Sequence, residues 1–173
     1  MTDRYRQLAG YNAWANAVLY DAAAKLSDAD YRADRGAFFR SVHGTLNHLL
    51  VADRLWMQRF TGEGEVAPTL DTILFDDLAA LREARIVEDA RILRYIGGLD
   101  PEALAGRFSY TRASTPDRYE QQLAPALDHF FNHQAHHRGQ VHALLTGLVG
   151  KAPSLDLLAY QREAGIGGMR KLP

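Results

Sequence analysis

Four of the seven histidines in this 173-residue chain fall within twelve positions, His129-Phe130-Phe131-Asn132-His133-Gln134-Ala135-His136-His137-Arg138-Gly139-Gln140. A helix turns about 100° per residue, so His129, His133 and His137 would share one stripe, flanked by His136 and Gln140. Imidazoles four residues apart have Cβ atoms about 6 Å from each other and can aim at a single ion. Neutral imidazole nitrogen suits divalent transition metals. A structural zinc site closes with four protein ligands, whereas a catalytic one uses three and leaves a place for water. Phe130, Phe131, Val141, Leu144 and Leu145 flank the stripe and make it half-buried, and buried polar groups need partners. A solvated histidine face is the plain alternative, but a cluster of four favours a metal. On spacing alone the pairs 129/133 and 133/137 are equally good, and a further ligand must come from elsewhere in the chain.

The bulk numbers limit what the chain does around that cluster. Its length suits one domain spanning 1–173, large enough to bury roughly 70% of its unfolded surface. It has no cysteine, which excludes disulfides, thiolate zinc sites and a cysteine nucleophile. A formal net charge of -1 and a pI near 6.6 give none of the basic excess of a nucleic-acid binder. No apolar run approaches the ~20 residues of a membrane span, and the N-terminus lacks a signal-peptide core. The expectation is a cytoplasmic protein.

The elements that must position the histidines follow from periodicity. Leu8, Tyr11, Trp14 or Ala15, Val18, Ala22 and Leu26 recur at helical spacing and predict a helix over about 3–26. Asn12 and Asn16, beside that stripe, are expected to bond a neighbouring backbone. Phe38-Phe39 in the connection over 27–40 is expected to tuck under the bundle. Ser41 is a good N-cap for a second helix to about Phe60, carrying His43 and His48 among Val42, Leu46, Leu49, Leu50, Leu55 and Trp56. A third helix over about 74–96 places Leu74, Leu78, Leu81, Ile86, Leu93 and Ile96 on its apolar side, after a cap at Asp71-Thr72. Phe108–Thr111 reads as a strand or extended loop, and Ser114–Asp117 as a turn. A fourth helix runs from about Leu123, with Pro125 in its first turn, to about Leu148. A short helical stretch at Leu155–Glu163 precedes a glycine-rich, basic tail. Four long amphipathic helices without a convincing sheet make an all-α four-helix bundle, whose core can hold a metal between facing helices.

Several stretches resemble the DinB/YfiT-like family. They are Tyr11-Asn12-Ala13-Trp14-Ala15-Asn16, His48-Leu49-Leu50-Val51-Ala52-Asp53-Arg54-Leu55-Trp56, His133-Gln134-Ala135-His136-His137-Arg138-Gly139-Gln140 and Pro153–Tyr160. The fourth-helix motif is the most specific, and together they span nearly the whole chain. The resemblance implies an up-down-down-up four-helix bundle. It also implies a divalent metal, nickel or zinc, held by His48 from the second helix and His133 and His137 from the fourth. Relatives of known activity are thiol-dependent transferases and isomerases, and many members have no established reaction.

The leading expectation is a metal-dependent enzyme of the thiol S-transferase or hydrolase type. It would act on a small molecule, with a low-molecular-weight thiol as a possible cosubstrate. The alternatives are a non-catalytic metal-binding stress protein and a small-molecule sensor. Asp53 is read either as an acceptor orienting an imidazole or as a surface ion pair. Arg138 is read as an anion holder or a helix-helix pair. Asn47, His136 and Gln140 complete the near-site candidates. Leu19, Leu74 and Ile92, outside the main stripes, together with the resemblance, suggest a homodimer. Metal loss on acidification is expected to begin just below neutral pH, since free imidazole titrates near 6.5.

Overall fold

The chain is described here by a computed structural model that covers all residues except 113, 114, 169 and 171–173. Ser114 of the expected turn and residues 169 and 171–173 of the tail therefore lie outside the described residues. Four long helices carry the fold: α1 (Thr2–Ala23), α3 (Val42–Thr61), α4 (Leu78–Gly97) and α6 (Leu123–Val149). Short helices α2 (Asp28–Arg32), α5 (Pro101–Ala105) and α7 (Leu157–Glu163) sit in the connections and at the C-terminal end. Strands β1 (Arg107–Thr111) and β2 (Arg118–Gln122) pair antiparallel, with Arg107 opposite Gln122 and Thr111 opposite Arg118. The stretch that read as strand or loop is thus one arm of a hairpin leading straight into α6.

Local chemistry sets the boundaries. Ser41 is extended, and its hydroxyl accepts from the Gly44 N–H at 3.0 Å, opening α3. Gly62 closes that helix in the left-handed region at φ 76°, where a Cβ is costly. Asp77 caps α4 through the Ala80 N–H at 2.9 Å. The cap expected at Asp71-Thr72 is therefore displaced to Asp77, and 74–77 is not helical. Asp100 caps α5 with Pro101 at its first position.

Cross-helix contacts fix the topology. Asn16 meets Asp89 and Asp21 meets Arg82, so α1 and α4 run antiparallel. Tyr5 reaches Ala124 while Asn12 reaches Arg138, so α1 and α6 run parallel. His48 meets His137 while Trp56 packs on His129, so α3 opposes α6. Asp53 meets Arg85 while Thr61 meets Arg91, so α3 and α4 are parallel. The order along the chain is up-down-down-up. Parallel neighbours α3 and α4 need a connection that runs back along the bundle, and residues 62–77 make it.

The core is in two apolar parts. One gathers Tyr5, Met57, Ile92, Ile96, Leu127 and Phe130, and the other Leu19, Leu46, Leu50, Leu81, Val141 and Leu145. Each such side chain contributes about 1.5–3 kcal/mol by leaving water. Between them lies a buried charged layer that joins all four long helices. The Arg85 guanidinium donates to Asp53 at 2.6 Å and meets Asp89 at 3.0 Å. Asn12 and Asn16 donate to Asp89 at 3.1 and 3.0 Å, Gln134 donates to Asp53 at 2.8 Å, and Arg138 donates to Asn12. Two guanidinium and two carboxylate charges balance. Burial pushes the Asp53 carboxyl up to about 6, against the pull of Arg85 and Gln134, and it stays ionised at neutral pH.

This layer corrects several expectations. Asn12 and Asn16 bond a carboxylate on α4 and no backbone. Of the two readings of Arg138 the helix-helix pair holds, since it is buried and donates to Asn12 of α1. Asp53 is a buried partner of Arg85, being neither a surface ion pair nor a partner of any imidazole. The inward face of α1 is rotated about one residue from its apolar stripe, with Tyr5, Ala9, Asn12, Ala15, Asn16 and Leu19 buried. Likewise α4 turns Arg85 and Asp89 inward and leaves Ile86 and Leu93 53% and 41% exposed. Leu19 and Ile92 belong to the core, and Leu74 packs against it, so none of the three forms a second surface.

Candidate metal centre

The antiparallel contact of α3 with α6 brings His48, His133 and His137 together. His137 Nε2 lies 3.2 Å from His48 Nε2 and 3.1 Å from His133 Nε2. His133 and His137 are successive turns of α6, and His48 faces them from the middle of α3. His48 and His137 are buried and His133 is half-buried. Among the described residues no carboxylate joins the three within ligand reach.

The tautomers of two rings follow from their other nitrogens. His48 Nδ1 lies 2.8 Å from the Leu70 carbonyl, and a carbonyl only accepts, so Nδ1 carries the proton. His137 Nδ1 lies 2.8 Å from Gln140 Oε1 and donates in the same way. Both Nε2 atoms then present bare lone pairs to each other at 3.2 Å. Neither can donate, so the contact is repulsive unless a cation stands between them. Imidazole nitrogens about 2.0–2.1 Å from a tetrahedral ion sit roughly 3.3–3.4 Å apart, close to the spacing found here. The donor set therefore fits a divalent ion.

Neighbours hold the rings in place. The crossing segment 62–77 is pinned by Asn47: its Oδ1 accepts from the Leu74 and Phe75 N–H groups at 2.9 and 3.0 Å, and its amide donates to the Phe75 carbonyl at 3.1 Å. That places the Leu70 carbonyl on His48. Phe39 lies flat on His48, with centroids 3.7 Å apart and planes 15° apart, and meets His137 edge-on. The expected tuck of Phe38-Phe39 is thus split, since Phe38 is 81% exposed. Sequence reasoning expected Phe39 to tuck inward but did not place it on His48, and it missed the Leu70 carbonyl, because a backbone carbonyl carries no side-chain signal.

Gly44 allows that stacking, because a Cβ there would run into the Phe39 carbonyl. An ordinary helical glycine gains about 1 kcal/mol on becoming alanine. Here overpacking of about 1–3 kcal/mol opposes the gain, so Gly44→Ala is expected to lose about 1 kcal/mol net and to lift Phe39 from His48. Thermal unfolding checks this; a higher melting temperature would mean that the turn yields freely.

His129 lies outside the triad. Its ring is exposed, 5.9 Å from that of His133, and packs on Trp56. Of the pairs 129/133 and 133/137, the second is the one that clusters with His48 among the described residues. His136 is exposed and lies 3.3 Å from the Gln140 amide nitrogen, which leaves the Gln140 carbonyl oxygen for His137.

Burial lowers the imidazole pKa values, that of His48 to about 4 and that of His133, with His137 close by, to about 3; burial lowers His137 as well. Protons then compete with a metal at lower pH than they would for unperturbed histidines. The fall in metal affinity is expected to have its midpoint below the roughly 6.5 of free imidazole and to be steep, as several imidazoles protonate together. A titration of metal affinity checks this, and a midpoint near 6.5 would contradict the enclosed cluster. In the metal-free protein the unfolded imidazoles take up protons near 6.5 and folded His48 only near 4. Stability should therefore decline as pH drops across that interval.

A four-helix bundle with a three-histidine cluster between antiparallel helices defines the class: a helical bundle protein with a candidate metal centre. The profile of the DinB family matches residues 1–169. The chain belongs to the DinB family. It is 26% identical over 153 residues to protein DinB of Bacillus subtilis strain 168, covering 84% of this chain and 86% of that one. Among the described residues, no helix is long and apolar enough to cross a membrane.

Proposed function

We propose that this DinB-family protein is a metal-dependent enzyme of the thiol S-transferase or hydrolase type, using nickel or zinc held by His48, His133 and His137. The observation that carries the reading is the pair of fixed, mutually facing lone pairs on His48 and His137. When bound, such an ion supplies Lewis acidity toward a water or a thiol. Three ligands without a carboxylate match the ligand count of catalytic centres, and neutral imidazoles leave the ionic charge undiminished.

The surrounding residues have definable tasks. Leu70 and Gln140 keep the protons on Nδ1 of His48 and His137 and so keep Nε2 free. Phe39 excludes water from one side of His48. The chain has no cysteine, so any thiol is brought by a cosubstrate. A screen of the zinc- and nickel-loaded protein with several low-molecular-weight thiols and electrophilic acceptors, run beside ester and amide hydrolysis, tests the reading. Turnover that disappears in His137→Ala supports it. Full metal loading with no turnover in any arm favours a non-catalytic metal-binding protein.

A homodimer fits the apolar residues that α4 leaves exposed, Ile86, Val87 and Leu93, beside Ala13 and Ala17 of α1. Light scattering is expected to give twice the 19.3 kDa chain mass, and Ile86→Glu combined with Leu93→Glu to halve it. A single-chain mass at micromolar concentration would rule the dimer out.

A further inference from the structure

The two helix stripes that carry the triad continue away from it. His48, Ala52, Leu55 and Arg59 fall on one stripe of α3, and His137, His133 and His129 on the facing stripe of α6. At the far end the Arg59 guanidinium lies between two rings, its Cζ 4.6 Å from the centroid of Trp56 and 4.6 Å from that of Tyr110. Nη2 donates to the Thr111 carbonyl at 3.1 Å. Trp56 in turn packs on His129, which stands one turn before His133. Arg59 is thus connected to the triad through a continuous wall of rings.

Two features set Arg59 apart from an arginine that only staples the hairpin to α3. It is half-buried, yet among the described residues no carboxylate lies within ion-pair reach of it, whereas buried Arg85 has two. Its Nε is buried without a hydrogen-bond partner, and no described residue accepts from Nη1. The cation–π contacts hold the fork rigid without satisfying its remaining donors or neutralising its charge. A planar fork fixed in advance loses little entropy on binding an anionic oxygen pair.

We propose that Arg59 recognises a carboxylate or phosphate at one end of a small molecule whose other end meets the triad, with a short apolar spacer over Leu55. The idea rests on the triad being a metal centre, and names the substrate class for it: an anionic small molecule. Eleven residues of α3 separate His48 from Arg59, about 16 Å between Cα atoms, and side chains reaching in from both ends shorten that span to small-molecule size.

The test uses thiols as metal-seeking heads on the zinc-loaded protein, followed by titration calorimetry. The probes are ω-mercapto carboxylates, mercaptoalkyl phosphates and mercapto alcohols of matched chain length. One charged series is expected to bind about tenfold or more tighter than the alcohols, with an optimum chain length, and the tighter series identifies the anion. Arg59→Gln should reduce the ratio to within about twofold while alcohol affinity stays unchanged, and Arg59→Lys should retain part of it. In the unaltered protein, high salt should shrink the preference for the charged probe and leave alcohol binding alone; this needs no variant. Equal affinities for charged and neutral probes, or a preference that survives Arg59→Gln, overturn the role of Arg59 while leaving the metal centre standing. A protein that takes up no zinc overturns both.

Discussion

Replacing His48, His133 or His137 by alanine is expected to empty the metal centre in each case, while His129→Ala leaves it filled. Each of the three contributes an Nε2 to one cluster, with contacts of 3.2 and 3.1 Å, whereas the exposed His129 ring stands apart at 5.9 Å from His133. Changing a group that merely orients a ligand costs about 10–100-fold in metal affinity, so deleting a ligand should cost at least about 100-fold. The helices should persist, because none of the imidazoles supports the two apolar clusters or the charged layer. Metal content of purified variants, read beside their circular dichroism, decides this. Full occupancy in His137→Ala with loss in His129→Ala would mean that a different pair on α6 holds the ion.

Asp53→Ala is expected to unfold the protein far more readily while sparing its metal. The substitution removes one carboxylate from a buried layer and leaves the Arg85 charge held by Asp89 alone, with the Gln134 amide unpaired. Breaking a buried pair from one side costs about 3–5 kcal/mol. For a chain of this length that is a fall of roughly 6–20 °C in melting temperature, out of a total stability of about 5–15 kcal/mol. Asp53 touches no imidazole of the triad, so metal affinity measured well below the melting transition should be unchanged. A 10–100-fold loss of affinity, with stability intact, would instead make Asp53 an orienting partner of a ligand.

The same layer explains which parts of the fold the sequence disclosed. For α3 and α6 the buried faces are mostly apolar, so periodicity located them well: Ser41 as cap, Leu123 as start and His48 among buried leucines. For α1 and α4 periodicity pointed to a face about one residue off. The inward positions there include Asn12, Asn16, Arg85 and Asp89, which a hydropathy reading assigns to solvent. They are buried because they satisfy one another across helices, a fact of pairing that no single helix contains. Ile86 and Leu93 drew the α4 stripe outward for the same reason. Within the candidate centre, spacing gave the histidine cluster and the family resemblance gave His48. The Leu70 carbonyl, and the contacts that Phe39 and Asn47 make, came only with the path of the 36–41 turn and the 62–77 crossing, since those contacts depend on where a loop lies and not on what a helix repeats.

X-ray absorption at the metal edge of the zinc-loaded protein tests the central claim most directly, because it counts imidazoles around the ion. Three imidazole nitrogens at about 2.0–2.1 Å, with the remaining scattering from a light solvent atom or an added thiol, is the expected result, and the zinc edge itself should be lost in His48→Ala. A shell dominated by carboxylate oxygen, or one that keeps three imidazoles in His48→Ala, would contradict a centre built from His48, His133 and His137.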